Sequence, residues 1–186
     1  MRYTTDNLVV SLTKNLSVFF RQQGWDILWA TNNTTSIHTT GTLVDVLTIC
    51  TSFPTEPRFI SRLKGDSAGK EDILVPALTL YAIGSPVRVR SLGLGHLDSE
   101  WSRAVTIEAV AETDAQQRAL MDLLHIWLMD VPHVALPILD YTIPSTPVVL
   151  DPVYVEDATI NAMVIPQPFD AVRFIVRADL LIFYFE

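Results

Sequence analysis

The chain has 186 residues, of which 49% are hydrophobic and 18% are charged, and its formal net charge is −8. A chain of this length can fold as one domain without disulfides or a structural metal, and its single cysteine, Cys50, excludes an internal disulfide. The acidic balance argues against unspecific binding to duplex DNA, which needs clustered Lys and Arg. No apolar run approaches the roughly 18 residues of a membrane span, and the N-terminus lacks the apolar core of a signal peptide. We therefore expect a cytoplasmic protein whose excess apolar surface is buried against partners.

The first predicted element is an amphipathic helix over residues 6–23, because apolar side chains recur there at helical spacing. These side chains are Leu8, Leu12, Leu16 and Phe19. Gly24 is suited to the left-handed turn that ends such a helix. Residues 25–29 alternate as a strand, and 31–40 form a polar turn. The nearly all-apolar segment 43–50 predicts a strand buried on both faces.

Residues 54–72 are rich in Pro, Gly and charged side chains, which predicts a long exposed loop. Strands resume at 78–83 and 87–90, joined through Gly84. The clearest strand is 101–112, in which alternate residues face opposite ways. One face carries Val105, Ile107, Ala109 and Ala111, and the other carries Thr106, Glu108 and Glu112.

The second predicted helix begins at a capping box formed by Thr113 and Gln116, whose side chains satisfy free backbone donors. Its apolar stripe comprises Leu120, Leu123, Leu124, Trp127 and Leu128. Pro132 ends it, because proline cannot continue the hydrogen-bond ladder. Seven of the 11 prolines then lie between residues 132 and 168. They allow short strands such as 136–141 and argue against long central ones.

The last segment, 171–185, predicts a strand whose second half is apolar on both faces and must be covered on both sides. Together the elements predict an α+β fold: a mainly antiparallel sheet with two principal helices packed on one face, plus a proline-rich C-terminal arm ending in a strand. We expect an α+β core over residues 1–142, with the exposed loop 54–72. We expect residues 143–186 to form a proline-rich extension and C-terminal strand of the same domain.

One catalytic motif occurs, Gly65-Asp66-Ser67-Ala68-Gly69, which matches the G-x-S-x-G pattern of serine hydrolases. That pattern requires a turn between a strand and a helix, whereas here the flanks are charged and a strand follows. We interpret it as a solvated loop and keep a serine hydrolase using Ser67 as a distant alternative. The four histidines lack metal-binding spacing. We expect no catalytic residue, no cofactor and no metal.

Two kinds of residue are candidates for an interface between subunits or with a partner. Arginines on predicted strands can pair with carboxylates of a neighbouring subunit, and tryptophan and apolar strand residues are typical of protein contacts. The candidate residues are Arg88, Arg90, Arg103, Trp101, Leu180, Ile182, Phe183 and Phe185.

The chain also resembles a known group of proteins over roughly two thirds of its length, through packing patterns rather than catalytic motifs. The features are the Gly93-Leu94-Gly95-His96 turn, Trp101-Ser102-Arg103, the strand 104–111, the cap at 112–117, the helix stripe 120–128 and the strand 136–141. In this order they resemble the small neck proteins of tailed bacteriophages, and more narrowly the tail terminator, or tail completion, group. The N-terminal helix fits the same order of elements.

The resemblance implies a structural virion protein without a catalytic site. Such a protein forms a homo-oligomeric ring, typically a hexamer, that caps the tail tube, terminates tail assembly and joins the tail to the head connector. Its partners would be further copies of itself, the tail tube protein, the head–tail connector or adaptor protein and the sheath protein. DNA would pass through the lumen without specific binding, and no membrane is involved. The protein would reside in the virion after assembly in the host bacterial cytoplasm.

Two alternatives to the tail terminator remain open besides the hydrolase. One is another head–tail connector or head-completion protein of the same neck, which a basic lumen would favour. The other is a cellular α+β binding module with no link to phages.

Overall fold

Two helices and ten strands make up the part of the chain that the structure, a computed structural model, describes. The described residues are 5–31, 34–35, 46–50, 58–61, 72–92, 98–130, 135–140, 146–166 and 172–186. The helices are α1 (Thr5–Gln22) and α2 (Asp114–Asp130). The strands are β1 (Asp26–Thr31), β2 (Thr34–Thr35), β3 (Val46–Cys50), β4 (Arg58–Ser61), β5 (Asp72–Val75), β6 (Ala77–Leu92), β7 (Asp98–Ala111), β8 (Ala135–Asp140), β9 (Val148–Pro166) and β10 (Val172–Phe185). Across these ranges, neither helix combines the length and the apolar character needed to cross a membrane.

Eight strands form one sheet in the described chain, in the order β2-β1-β3-β6-β7-β10-β9-β8. The neighbours β1, β3 and β6 run parallel, and every other neighbouring pair in this sheet is antiparallel. Strands β4 and β5 form a separate parallel pair. The predicted α+β class with a mainly antiparallel sheet is therefore confirmed.

Both helices pack on the same face of the sheet, as predicted, because each presents an apolar stripe to it. Helix α1 buries Leu8, Leu12, Leu16 and Phe20, and α2 buries Leu120, Leu124 and Trp127. These side chains share one core with the inward residues of β7, namely Val105, Ile107, Ala109 and Ala111. Gly24 ends α1 with a φ of 87°, the left-handed conformation that the sequence predicts.

The opposite face of the sheet is covered at one end by the β4–β5 pair. Ile73 and Val75 of β5 form a second buried cluster with Cys50 and Val110, and Phe59 of β4 packs against it. All five residues of β3 are buried, which confirms the predicted two-sided burial for the described part of that segment. The loop predicted over 54–72 is therefore wrong at residues 58–61, which form β4 because Phe59 packs against this cluster, and at Asp72, where β5 begins. Residues 54–57 and 62–71 lie outside the described residues.

Two strands are longer than the sequence predicts. Segments 78–83 and 87–90 belong to one strand, β6, with a register shift against β7 between Ile83 and Val87. Strand β9 has 19 residues, so the argument that prolines exclude a long central strand is wrong. Pro152 is tolerated because it lies at a register shift against β8 and outside the residues that pair with β10.

The C-terminal strand completes the chain's own sheet. Strand β10 lies between β7 and β9 and pairs with both along most of its length. Its end is secured by two backbone hydrogen bonds: Ser99 donates to the carbonyl oxygen of Glu186 (2.7 Å), and the Glu186 N–H donates to that of Ser99 (2.9 Å).

Candidate interaction surface

Alternate side chains of β10 have opposite environments because successive residues of a strand point to opposite faces. Leu180 and Ile182 are buried in the core beneath the helices. Phe183 is half-buried and Phe185 is 41% exposed on the opposite face, which we call the outer face. Of the apolar C-terminal residues that the sequence proposes for an interface, only Phe183 and Phe185 are therefore placed to contact a partner.

The outer face changes character along the strands. At one end Val110 and Ile175 lie under the β4–β5 pair. A polar zone follows, formed by Tyr81, Thr106, Glu108, Arg177 and Asp179. Beyond it β10 presents Leu181, Phe183 and Phe185, without the cover that Ile175 has. The sheet therefore carries covered, polar and exposed apolar zones on one face.

The polar zone is held together by hydrogen bonds between its own members. Asp179 accepts from the Thr106 hydroxyl (2.6 Å to Oδ1) and from Arg177 Nε (3.0 Å to both carboxylate oxygens). The Tyr81 hydroxyl donates to Glu108 Oε2 at 3.4 Å. Partial burial, followed by the negative charge of Glu108, raises the pKa of Tyr81, and the hydrogen bond to Asp179 raises the pKa of Arg177. The two carboxylates of the polar zone thus accept hydrogen bonds from other members of the zone, an arrangement typical of a hydrogen-bond network that supports the fold.

The exposed apolar zone extends onto the neighbouring strands. Leu181 lies opposite Ala104 of β7, which in turn lies opposite Ile83 of β6. In the next row Phe183 lies between Ser102 and Tyr154 of β9. We call the set Ile83, Tyr154, Leu181, Phe183 and Phe185 the β10 patch. Apart from the half-buried Phe183, its members are between 38% and 45% exposed. Large exposed apolar side chains that lie next to one another are typical of interaction surfaces.

The three candidate arginines have different environments. Arg88 is exposed on β6 opposite Trp101, which is half-buried against the core. Arg90 forms an ion pair with Glu100 of β7 through Nε. Arg103 is only 7% exposed, and its Nη2 donates to the carbonyl oxygen of Gly84 at 3.0 Å. Arg103 therefore supports the chain's own fold, and only Arg88 and Arg90 lie at the surface.

Two stretches of strand edge lie open in the part of the chain that the structure describes, and no pattern in the sequence predicts either of them. Strand β3 pairs with β6 only through residues 77–79, so within the described chain β7 is the sole strand neighbour of residues 82–92. Strand β8 pairs with β9 only up to Tyr154, so residues 157–162 pair on the β10 side alone in the same ranges, and Glu156 lies at the register shift between β9 and β10. The pairing register of long strands decides where an edge opens, and no local sequence pattern reports it.

The outer edge of β8 is covered, in contrast, by α1. The Ser11 hydroxyl accepts from the Leu139 N–H (2.9 Å) and lies 3.4 Å from the Leu139 carbonyl oxygen, to which it also donates. Asn15 Nδ2 donates to the Pro137 carbonyl oxygen (3.2 Å), and Asn7 Nδ2 donates to Asp140 Oδ1 (3.0 Å). A helix with these polar side chains satisfies the edge and blocks further pairing there.

Three features of the described residues bear on metal binding, nucleophiles and ligand pockets. They contain no group of three His, Cys, Asp or Glu side chains that could hold a metal ion. Cys50 is buried, which raises the pKa of its thiol to about 11 and keeps it protonated. Ser67, the hydrolase candidate, lies outside the described residues. An apolar depression of about 180 Å³ between α1 and β1 is lined by Val10, Thr13, Lys14 and Trp29.

Comparison with known proteins adds no family: no protein-family model matches the chain, and no curated protein matches it.

Proposed function

We propose that the protein is a structural component of a tailed-bacteriophage neck, a tail terminator. It assembles as a homo-oligomeric ring that caps the tail tube, stops its growth and joins it to the head-side connector. The proposal draws on the resemblance of the strand–capped helix–strand block to that group. The observation that carries it is the β10 patch, an apolar surface on the outer face of a sheet whose other face is already buried.

The patch favours a protein partner. Fully burying a large apolar side chain contributes about 1.5–3 kcal/mol, so each member left roughly 40% exposed retains about 0.6–1.2 kcal/mol for association, and the members add together. Arg90 at its rim is already paired with Glu100, and the chain carries a net charge of −8. An apolar surface whose neighbouring positive charge is already neutralised suits contact with another protein rather than with DNA.

In this proposal the β10 patch binds the last ring of the tail tube protein. The mechanism is shape and surface complementarity, and no catalytic step is involved. A head-to-tail ring presents its patches at regular intervals around one axis, which matches the repeated surface of a tube. Repetition makes the contact strong through avidity even where each patch is small.

The proposal is tested by incubating the purified protein with tail tubes. Negative-stain microscopy should show a ring at one tube end, and native mass spectrometry should show a homo-oligomer. Phe185→Asp should abolish capping while leaving the oligomer intact. The matched control is Met129→Asp, because Met129 is 68% exposed on α2, away from the patch. A strictly monomeric protein that leaves tube ends bare would overturn the proposal.

The same experiment separates the terminator from another neck component. A connector or head-completion protein would bind portal-containing capsids in preference to isolated tubes. Supplying both substrates in one assay, with the Phe185→Asp variant alongside, distinguishes the two roles.

A further inference from the structure

The two open stretches of strand edge lie at different levels of the sheet. On β6, Val87 is in register with Ser102 of β7, which is in register with Phe183 of the β10 patch. On β9, Thr159 is in register with Asp179 of the polar zone. The open edge of β6 therefore borders the β10 patch, whereas the open edge of β9 borders the polar zone.

The part of the β6 edge next to the patch is residues 87–90, which we call the edge segment. All four of its residues are exposed, and the two apolar ones, Val87 and Val89, are 62% and 48% exposed. In the described chain, β7 is the only strand that pairs with the edge segment. Pro86, directly before it, has no backbone N–H to donate, so regular pairing with an added strand begins at Val87.

The edge segment presents different chemistry on the two faces of the sheet. Val87 lies on the outer face, in the same row as Phe183. Arg88 is in register with Trp101, which packs against the core, so Arg88 lies on the helix-covered face. Arg88 forms no ion pair within the described chain. An exposed apolar side chain and an exposed positive charge therefore follow each other along one open edge.

We propose that the edge segment pairs with an extended, acidic segment of the same partner that the β10 patch binds. Addition of a strand to an open sheet edge is a recurrent mode of recognition, in which backbone hydrogen bonds give affinity and side chains give specificity. Residues directly opposite each other on neighbouring strands point to the same face. The added segment therefore carries an apolar side chain opposite Val87 and a carboxylate opposite Arg88. The inference rests on the proposed function, because the partner is the tail tube protein.

A second copy of this chain fits the edge segment less well. Pairing of two edge segments brings Arg88 and Arg90 of one copy close to the same arginines of the other copy, and like charges on neighbouring strands are destabilising. The open edge of β9 lies beside the polar zone, so it does not continue the apolar surface. A partner segment that carries a carboxylate neutralises Arg88, and its apolar side chain beside Val87 extends the surface of the β10 patch.

Arg88 distinguishes strand addition from a contact with the patch alone, because it lies on the opposite face of the sheet. A partner that covers only the outer face does not meet Arg88, whereas a strand added along the edge places side chains on both faces. Arg88→Glu should weaken binding of the full-length protein to tail tubes by at least about tenfold at moderate salt, measured by co-sedimentation. Arg88→Lys keeps the charge and should retain most of the affinity. Arg21→Glu, on an exposed residue of α1, is the control.

Hydrogen exchange followed by mass spectrometry tests the backbone contact in the same samples. The amides of residues 87–92 should exchange more slowly with tail tubes than without them, because an added strand supplies hydrogen-bond acceptors to an edge that otherwise faces solvent. Residues 157–162 of β9 form the internal reference. They lie at the level of the polar zone, so their exchange should not change when tubes are added.

The outcomes separate the edge contact from the proposed function. Weaker binding of Arg88→Glu, together with slower exchange of residues 87–92 in the wild type, supports the edge contact. Tubes that are capped by Arg88→Glu at wild-type affinity, or unchanged exchange of residues 87–92, overturn the edge contact and leave the proposed function standing. Tube ends that the wild type leaves bare overturn both. An unchanged thermal midpoint of Arg88→Glu shows that its loss is one of binding.

Discussion

Arg103 of β7 and Gly84 of β6 are joined by a hydrogen bond from Nη2 to the carbonyl oxygen, 3.0 Å long, at the register shift between the two strands. Gly84 has a φ of 68°, so a residue that tolerates the left-handed region stands where β6 bends. Arg103, which is only 7% exposed, satisfies the Gly84 carbonyl oxygen with its guanidinium. The pair lies at the point where the regular pairing of β6 with β7 is interrupted.

Arg103→Ala should destabilise the protein by about 2 kcal/mol, because a hydrogen bond to a charged group contributes about 1.5–3 kcal/mol and the buried stem also packs. Urea denaturation measures the change. Arg103→Met restores the packing of the stem without the hydrogen bond and should recover part of the loss. Arg88→Ala, at an exposed position, should change stability by less than about 0.5 kcal/mol. Equal stability of Arg103→Ala and wild type would contradict the role of the pair.

Ser11→Ala should cost on the order of 1–2 kcal/mol, because it leaves the N–H and carbonyl of Leu139 without the hydroxyl that satisfies them. Ser17→Ala is a matched control in the same helix. The Ser17 hydroxyl donates only to the Lys14 carbonyl oxygen (2.8 Å), one turn away. Both substitutions raise helix propensity by the same amount. The difference between their unfolding free energies therefore measures what the Ser11 hydroxyl contributes by covering the β8 edge. Equal effects would show that α1 does not protect that edge.

Thr113→Ala should cost about 1 kcal/mol, since the hydroxyl accepts from the Gln116 N–H (3.2 Å) at the start of α2. Thr113→Ser keeps the acceptor and should lie close to wild type. Gln116 Oε1 accepts from the Glu112 N–H (2.9 Å), one residue before the capping Thr113, so Gln116→Ala should also destabilise. Chemical denaturation of the two single variants and the double variant measures their coupling. Strict additivity would show that the two bonds act independently.

Stability should fall as the pH rises from 9.0 towards about 11, the interval across which burial raises the pKa of Cys50. In this interval the thiol ionises in the unfolded chain but stays protonated in the folded one. The unfolded state then binds fewer protons, and each pKa unit is worth about 1.4 kcal/mol. Burial raises the pKa values of Tyr81 and Tyr184 as well, which acts in the same direction above their usual range.

Cys50→Ala removes one of these groups and should show a shallower decline of unfolding free energy with pH. Equilibrium denaturation at several pH values between 8 and 11 measures the slope. Thiol-reactive probes should label wild-type Cys50 slowly below pH 9, because the side chain is 4% exposed and protonated. Rapid labelling of the native protein would contradict the burial of β3.

Several features could be predicted because they depend on residues close together in the chain. The stripe of α1, the cap of α2 and the alternation of β7 each follow from contacts within a few residues. The apolar character of β10 on both faces was also visible, and so was its need for cover. Which side chains would remain uncovered was not: Leu180 is buried whereas Leu181 is 38% exposed.

Other features depend on distant partners. Gln117 of α2 donates through Nε2 to the carbonyl oxygens of Met163 and Ile175, both at 2.8 Å, which ties the helix to β9 and β10. No local pattern marks such a residue as buried. The same holds for Arg103, whose charge predicted a surface site although its partner is a backbone carbonyl.

By itself, the sequence determined the helices and their caps, the faces of the clearest strand and the excess of apolar surface, because these arise from propensity and periodicity along the chain. Only the tertiary structure decided the strand order, the cover over one end of the outer face and the positions of the open edges. Pairing in a sheet joins residues far apart in sequence, and where each partner strand stops determines which backbone groups and side chains remain available. The tertiary structure thereby divides the apolar residues of this hydrophobic chain between a buried core and the exposed β10 patch.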